Sequence, residues 1–174
     1  KKIWYLICLV VSLFSLITGI SDNAYLALLA LYGLLPLYLF SNLKGFKEYA
    51  LMLAILFSEF QLIDFVMQKF PKHVMQISGL FNVISGYSKL FYVVVMLWVA
   101  TAALYVLDYV LGKKNLGKKE SNVGRFAWLV VIAIVVSLAV FVLYDVNVNG
   151  NIDRYGSLSG YLFFNDDWGT HRGY

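Results

Sequence analysis

FAWLVVIAIVVSLAVFVLY, residues 126–144, is apolar throughout except for Ser137. At about 1.5 Å per residue, a helix of this length covers roughly 28 Å, close to the hydrocarbon thickness of a bilayer. A helix is also the form in which a single segment satisfies its own backbone polar groups inside lipid. Working outward, residues 3–20, 24–40, 49–67 and 90–111 are four more mainly apolar runs, of which 49–67 carries polar residues and 90–111 one charge, Asp108. The predicted fold class is therefore all-α: a polytopic transmembrane helix bundle of five spans, residues 1–144, with 145–174 as the start of an extracytoplasmic loop.

Composition agrees with this reading. The chain has 174 residues, of which 61% are hydrophobic and only 14% charged, whereas soluble domains carry about a quarter charged residues. The formal charge of +4 sits in short loops between apolar runs, which explains it by membrane orientation; no nucleic-acid partner is expected. Cys8 is the one cysteine, so an intrachain disulfide is excluded. The chain begins Lys-Lys without an initiator Met and stops in a polar stretch, which predicts a piece of a longer polypeptide. Pro36 is expected to kink the second span. Between the third and fourth spans, Ile77, Leu80, Phe81 and Ile84 keep i, i+3, i+4, i+7 spacing, which predicts a short helix lying in the membrane interface.

Basic residues set the orientation. With the N-terminus inside, the cytoplasmic side receives nine: Lys1, Lys2, Lys44, Lys47, Lys113, Lys114, Lys118, Lys119 and Arg125. The other side receives five: Lys69, Lys72, Lys89, Arg154 and Arg172. The positive-inside rule favours this topology, and five spans then put residue 174 outside.

Candidate functional residues fall in three groups. Ser58, Gln61, Asp64 and Gln68 form a stripe at helical spacing on the third span, with Glu59 beside it. A carboxylate facing lipid costs about 2.5–3.5 kcal/mol at mid-membrane on insertion scales, so Glu59 and Asp64 are expected to face the bundle interior or a wet cavity open to the outside, with a place near the headgroups as the plainer role for Asp64. Interhelical hydrogen bonding is the plainer role for the stripe, and an interfacial charge is the plainer role for Asp108. After the fifth span, Asp145, Asn147, Asn149, Gly150 and Asp153 keep the first nine positions of a calcium-binding loop. Gly156, however, stands where the bidentate Glu belongs, and Asn, Asp and Gly also build ordinary turns. His73 and His171 lack metal-ligand spacing, and no catalytic residue is assigned. In the last ten residues, the Arg172 guanidinium suits carboxylate or phosphate, Trp168 can stack on a sugar or anchor at the interface, and Gly169 and Gly173 allow close approach. Asp166 and Asp167 offer Arg172 a purely structural ion pair instead.

The stretch Phe164-Asn165-Asp166-Asp167-Trp168-Gly169-Thr170-His171-Arg172-Gly173-Tyr174 resembles a segment of O-antigen ligase and polymerase-like membrane proteins. There a W-G-x-x-R-G-[YF]-x-W pattern opens the large extracytoplasmic loop. The resemblance covers about twenty residues, counting the approach Tyr155-Gly156-Ser157-Leu158. It implies a glycosyltransferase of the bacterial cytoplasmic membrane that takes glycan from an undecaprenyl-diphosphate-linked donor to a glycan acceptor, with no cofactor. It also implies that Arg172 contacts the donor diphosphate, and that the family's candidate histidine lies beyond Tyr174. The alternative is half of a transporter or flippase using the third-span stripe; a calcium-sensing ectodomain is a further one.

Overall fold

The computed structural model describes residues 2–19, 21–77, 79–112, 121–158 and 162–164. Among them the regular structure is helical, with no strand. The helices are α1 (Lys2–Thr18), α2 (Asp22–Leu39), α3 (Leu43–Lys69), α4 (Leu80–Ser85), α5 (Leu90–Gly112) and α6 (Val123–Asn147), followed by a 3₁₀ segment, Ile152–Leu158.

Three helices are long and apolar enough to cross a membrane: Leu43–Lys69, Leu90–Leu111 and Val123–Asn147. Their apolar surfaces are the ones a bilayer would cover, which marks the protein as membrane-embedded. The first two apolar runs form shorter helices, Ile3–Thr18 and Asn23–Leu39, spanning roughly 24–26 Å against a hydrocarbon core of about 30 Å.

The chain forms two compact units, Lys1–Trp128 and Leu129–Tyr174. In the first, α3 is the central element. Its buried side includes Ile55, Leu56, Phe60, Ile63 and Met67, and these join Leu13 and Ile17 of α1 and Tyr25, Leu28 and Tyr32 of α2 in one core. Aromatic contacts tie the layers together, with Tyr25 and Phe60 ring centroids 6.0 Å apart and Phe60 and Phe81 5.7 Å apart.

Two sequence expectations change. The connection expected over residues 41–48 is mostly helix, because the Asn42 side chain accepts from Gly45 N–H at 2.9 Å and starts α3 there. This is an N-cap, and it brings Lys44 and Lys47 into the first turns. The short helix expected in the interface is α4, but its apolar stripe is not turned to lipid. Ile77 and Phe81 are buried in the core, with Leu80 and Ile84 packed against it, so α3 covers the stripe. Pro36 is accommodated within α2, and its carbonyl accepts from Phe40 N–H at 2.8 Å.

The charges at the other end of the α3–α5 pair also find partners. Lys47 pairs with Asp108 of α5 and lies 4.9 Å from the centroid of the Tyr105 ring. Asp108 is thus a packed interhelical ion-pair partner.

In the second unit, the apolar window of α6 buries none of its residues within the chain. Only its last turn is enclosed, at Asp145 and Val146.

Candidate functional site

Two places in the described residues bring chemistry-bearing side chains together: the middle of α3 and the loop that caps α6.

On α3, helical geometry separates Ser58 from Glu59 by about 100°, and the two side chains have different surroundings. Ser58 donates to the Ala54 carbonyl at 2.6 Å and accepts from the Trp98 indole N–H of α5 at 3.0 Å. That is interhelical hydrogen bonding. Farther along, Gln68 donates to Asp64 at 2.7 Å on an exposed flank. Glu59 points inward. It is 7% exposed, and neither carboxyl oxygen has a hydrogen-bond partner among the described residues. The nearby Tyr32 phenol is engaged elsewhere, donating to the Met52 carbonyl at 3.4 Å. Burying a carboxyl without a donor is costly, and in membrane proteins such a residue marks a functional position by default.

At the end of α6, the Asp145 carboxylate is 3% exposed and collects four donors. Asn149 and Asn151 reach Oδ1 at 2.9 and 2.8 Å; Arg154 and Tyr155 reach Oδ2 at 3.2 and 2.8 Å. The backbone closes the same loop, with Asn151 N–H on the Asp145 carbonyl at 3.2 Å and Gly150 at a φ of 71° that favours glycine. Donation to a carboxylate raises the Tyr155 phenol above the ordinary tyrosine value. Here hydrogen-bond donors, two amides, a guanidinium and a phenol, face Asp145.

Asn147 does different work. Its amide donates to the Leu143 and Leu162 carbonyls at 2.9 and 2.8 Å, and its oxygen accepts from Phe164 N–H at 2.7 Å. The chain that leaves the 3₁₀ segment is therefore fastened back onto the last turn of α6, just before Asn165. Trp168 and Arg172 lie outside the described residues.

Comparison with protein-family models, with curated proteins and with solved structures finds no match. The described residues also contain no group of three or more His, Cys, Asp or Glu side chains placed to hold a metal ion.

Sequence reasoning singled out Glu59, Asp145, Asn147 and Asn149 but not the Asn151, Arg154 and Tyr155 donors to Asp145. Arg154 entered the sequence reading as an outside basic residue and Tyr155 as part of the approach to the motif, and nothing local says that both turn back to Asp145. The fastening by Asn147 leads to a prediction. Asn147→Ala removes two tertiary hydrogen bonds, each worth about 1 kcal/mol, so chymotryptic cleavage after Phe163 or Phe164 should rise about tenfold or more. Peptide mapping of the purified protein checks this, and unchanged cleavage would show that the fastening contributes nothing. Protection of residues 145–156 by added calcium in the same assay would favour the cation-binding alternative.

Proposed function

We propose that this chain is the membrane-embedded opening part of a glycosyltransferase acting on undecaprenyl-diphosphate-linked glycan at the extracytoplasmic face. The sequence Trp168-Gly169-Thr170-His171-Arg172-Gly173-Tyr174 suggests the chemistry. The observation that carries the reading is the fastening of Leu162 and Phe164 to Asn147 at the end of an apolar helix. A loop meant to meet a lipid-linked diphosphate has to start at the membrane boundary, and this anchor gives it such a starting point. Arg172 then contacts the diphosphate, Trp168 packs on sugar or interface, and Glu59 lines an outward-facing cavity of the membrane domain. The carrier is a membrane lipid, so a site at the boundary meets it without extracting it from the bilayer.

The proposed arrangement includes α1 and α2 as spans, giving five, with the N-terminus inside. In a Cys8→Ser background, Asn151→Cys should react with an impermeant maleimide added to intact cells. Lys114→Cys should react only after permeabilisation. Reversed labelling would overturn the orientation.

The transport alternative draws on the buried Glu59, whose carboxyl has no hydrogen-bond partner among the described residues. The two readings separate in membranes containing the complete protein, supplied with a lipid-linked glycan donor and an acceptor. Glycan transfer that depends on the donor diphosphate supports the proposal. Absence of transfer, together with solute or lipid movement abolished by Glu59→Gln, supports transport instead.

A further inference from the structure

A pocket of about 340 Å³ opens where α2 ends and α3 and α6 begin, lined by Tyr38, Leu39, Ser41, Asn42, Lys44, Gly45, Glu48 and Arg125. Its size falls in the range of about 300–1,000 Å³ usual for small-molecule sites. The corner is firmly built. Ser121 N–H donates to the Ser41 carbonyl at 2.8 Å, and Arg125 donates to Asn122 Oδ1 and to the Tyr38 carbonyl, both at 3.3 Å. Those bonds use the two terminal nitrogens of the guanidinium. Its third donor, Nε, is buried and has no acceptor among the described residues.

Arg125 lines the pocket and has only neutral acceptors among the described residues, so an anionic group in the pocket would complement its charge. Lys44 supplies a second cation, in a loose 3.9 Å pair with Glu48 in which the side chains are 66% and 46% exposed. The first turns of α3 and α6 add the positive ends of two helix dipoles to the same corner. Phosphate oxygens match this combination of a guanidinium, an ammonium and backbone N–H groups.

The setting selects the source of that phosphate. Apolar sequence ends at Phe40 on α2 and begins again at Tyr49 on α3 and Phe126 on α6. The pocket therefore lies at the polar margin of three apolar segments, where lipid headgroups sit. The Tyr38 side chain, 78% exposed, and Leu39 give the pocket an apolar wall against which an acyl chain can run.

We propose that this pocket binds the phosphate group of an anionic membrane lipid. Arg125 and Lys44 hold the phosphate, and Glu48 limits the affinity. The site is independent of glycan transfer, since it uses none of the residues assigned to that reaction.

Native mass spectrometry of the full chain in detergent, titrated with phosphatidylglycerol or phosphatidylcholine, tests the assignment. Retention should favour phosphatidylglycerol. Lys44→Gln should weaken retention about fivefold, the usual effect of one basic residue at a membrane surface, and Glu48→Gln should strengthen it by a similar factor. Lys72→Gln, remote from the pocket in sequence, should change nothing. Lys44 and Glu48 are exposed enough that neither substitution threatens folding, so these two decide the test even if Arg125→Gln misfolds. Equal retention of the two lipids would overturn the proposal. So would Lys44 and Glu48 variants that behave like Lys72→Gln. Full competition by soluble glycerol phosphate at the lipid's own concentration would overturn the lipid as the ligand and leave a free-phosphate site.

Discussion

Arg172→Lys in the complete protein is expected to reduce glycan transfer about 100-fold while leaving expression and membrane insertion unchanged. The expectation follows from the difference between two cations of equal charge. A guanidinium presents parallel N–H groups to two oxygens at once, whereas an ammonium offers a compact point charge on a flexible stem. In the proposed reaction the carrier diphosphate leaves with the bonding electrons, so negative charge grows on its oxygens in the transition state. A fixed fork that meets those oxygens stabilises the transition state more than the ground state, and removing one such donor typically costs 10²–10³ in rate. The loss should therefore appear in kcat as well as in kcat/KM for the donor. An Arg172 that only pairs with Asp166 or Asp167 would behave differently. Lysine preserves an exposed ion pair worth at most about 1 kcal/mol, so transfer would stay within a few fold of wild type. Transfer assays on purified membranes distinguish the two outcomes, and the second would remove Arg172 from the mechanism.

What could be read from the sequence was whatever local periodicity and composition determine. The apolar runs 49–67, 90–111 and 126–144 fall inside α3, α5 and α6, because a helix in lipid must satisfy every backbone group from its own sequence. The inward turn of Glu59 was legible because a carboxyl on the lipid face is costly, but the same argument did not place Asp64, which meets Gln68 on an exposed flank. Three other features depend on information that no local window holds. Lys47 and Asp108 pair across 61 positions, and neither residue's neighbours announce the other. The Ile77–Ile84 stripe is equally amphipathic whether lipid or Phe60 covers it. The 145–153 spacing fits a cation loop and a hydrogen-bonded turn equally well, because an Asn side chain carries both an acceptor and a donor. Even the start of α3 turned on one interaction, the Asn42 cap, which lengthened the helix ahead of the apolar run. The proposed donor-binding motif was legible only by resemblance, and the fastening of Leu162 and Phe164 by Asn147 only from the geometry.

Gly45→Ala should be the most damaging single-methyl change in the first unit, lowering stability by about 3 kcal/mol. A Cβ at this position would lie 1.8 Å from the Leu39 carbonyl oxygen, 2.6 Å from its carbon and 3.1 Å from its Cα. All three are backbone atoms at the last turn of α2, so no rotamer change can make room. Either the α2–α3 corner opens or α3 starts later, and both outcomes break the Asn42 cap on Gly45 N–H. The same corner is tight from a second direction, since a Cβ on Gly124 would come within 2.7 Å of the Phe40 carbonyl oxygen and 2.8 Å of the Phe46 ring. Gly33 in α2 provides the control. Nothing lies within 4 Å of its missing Cβ, so Gly33→Ala should be neutral or stabilising by up to about 1 kcal/mol, the ordinary helix-propensity gain. Thermal unfolding in detergent measures both variants. Because Gly45 also lines the lipid pocket, Gly45→Ala should reduce phosphatidylglycerol retention together with stability, while Gly33→Ala should leave retention intact. Equal unfolding temperatures for the two variants would mean that α2 and α3 do not approach this closely, and the pocket between them would lose its wall.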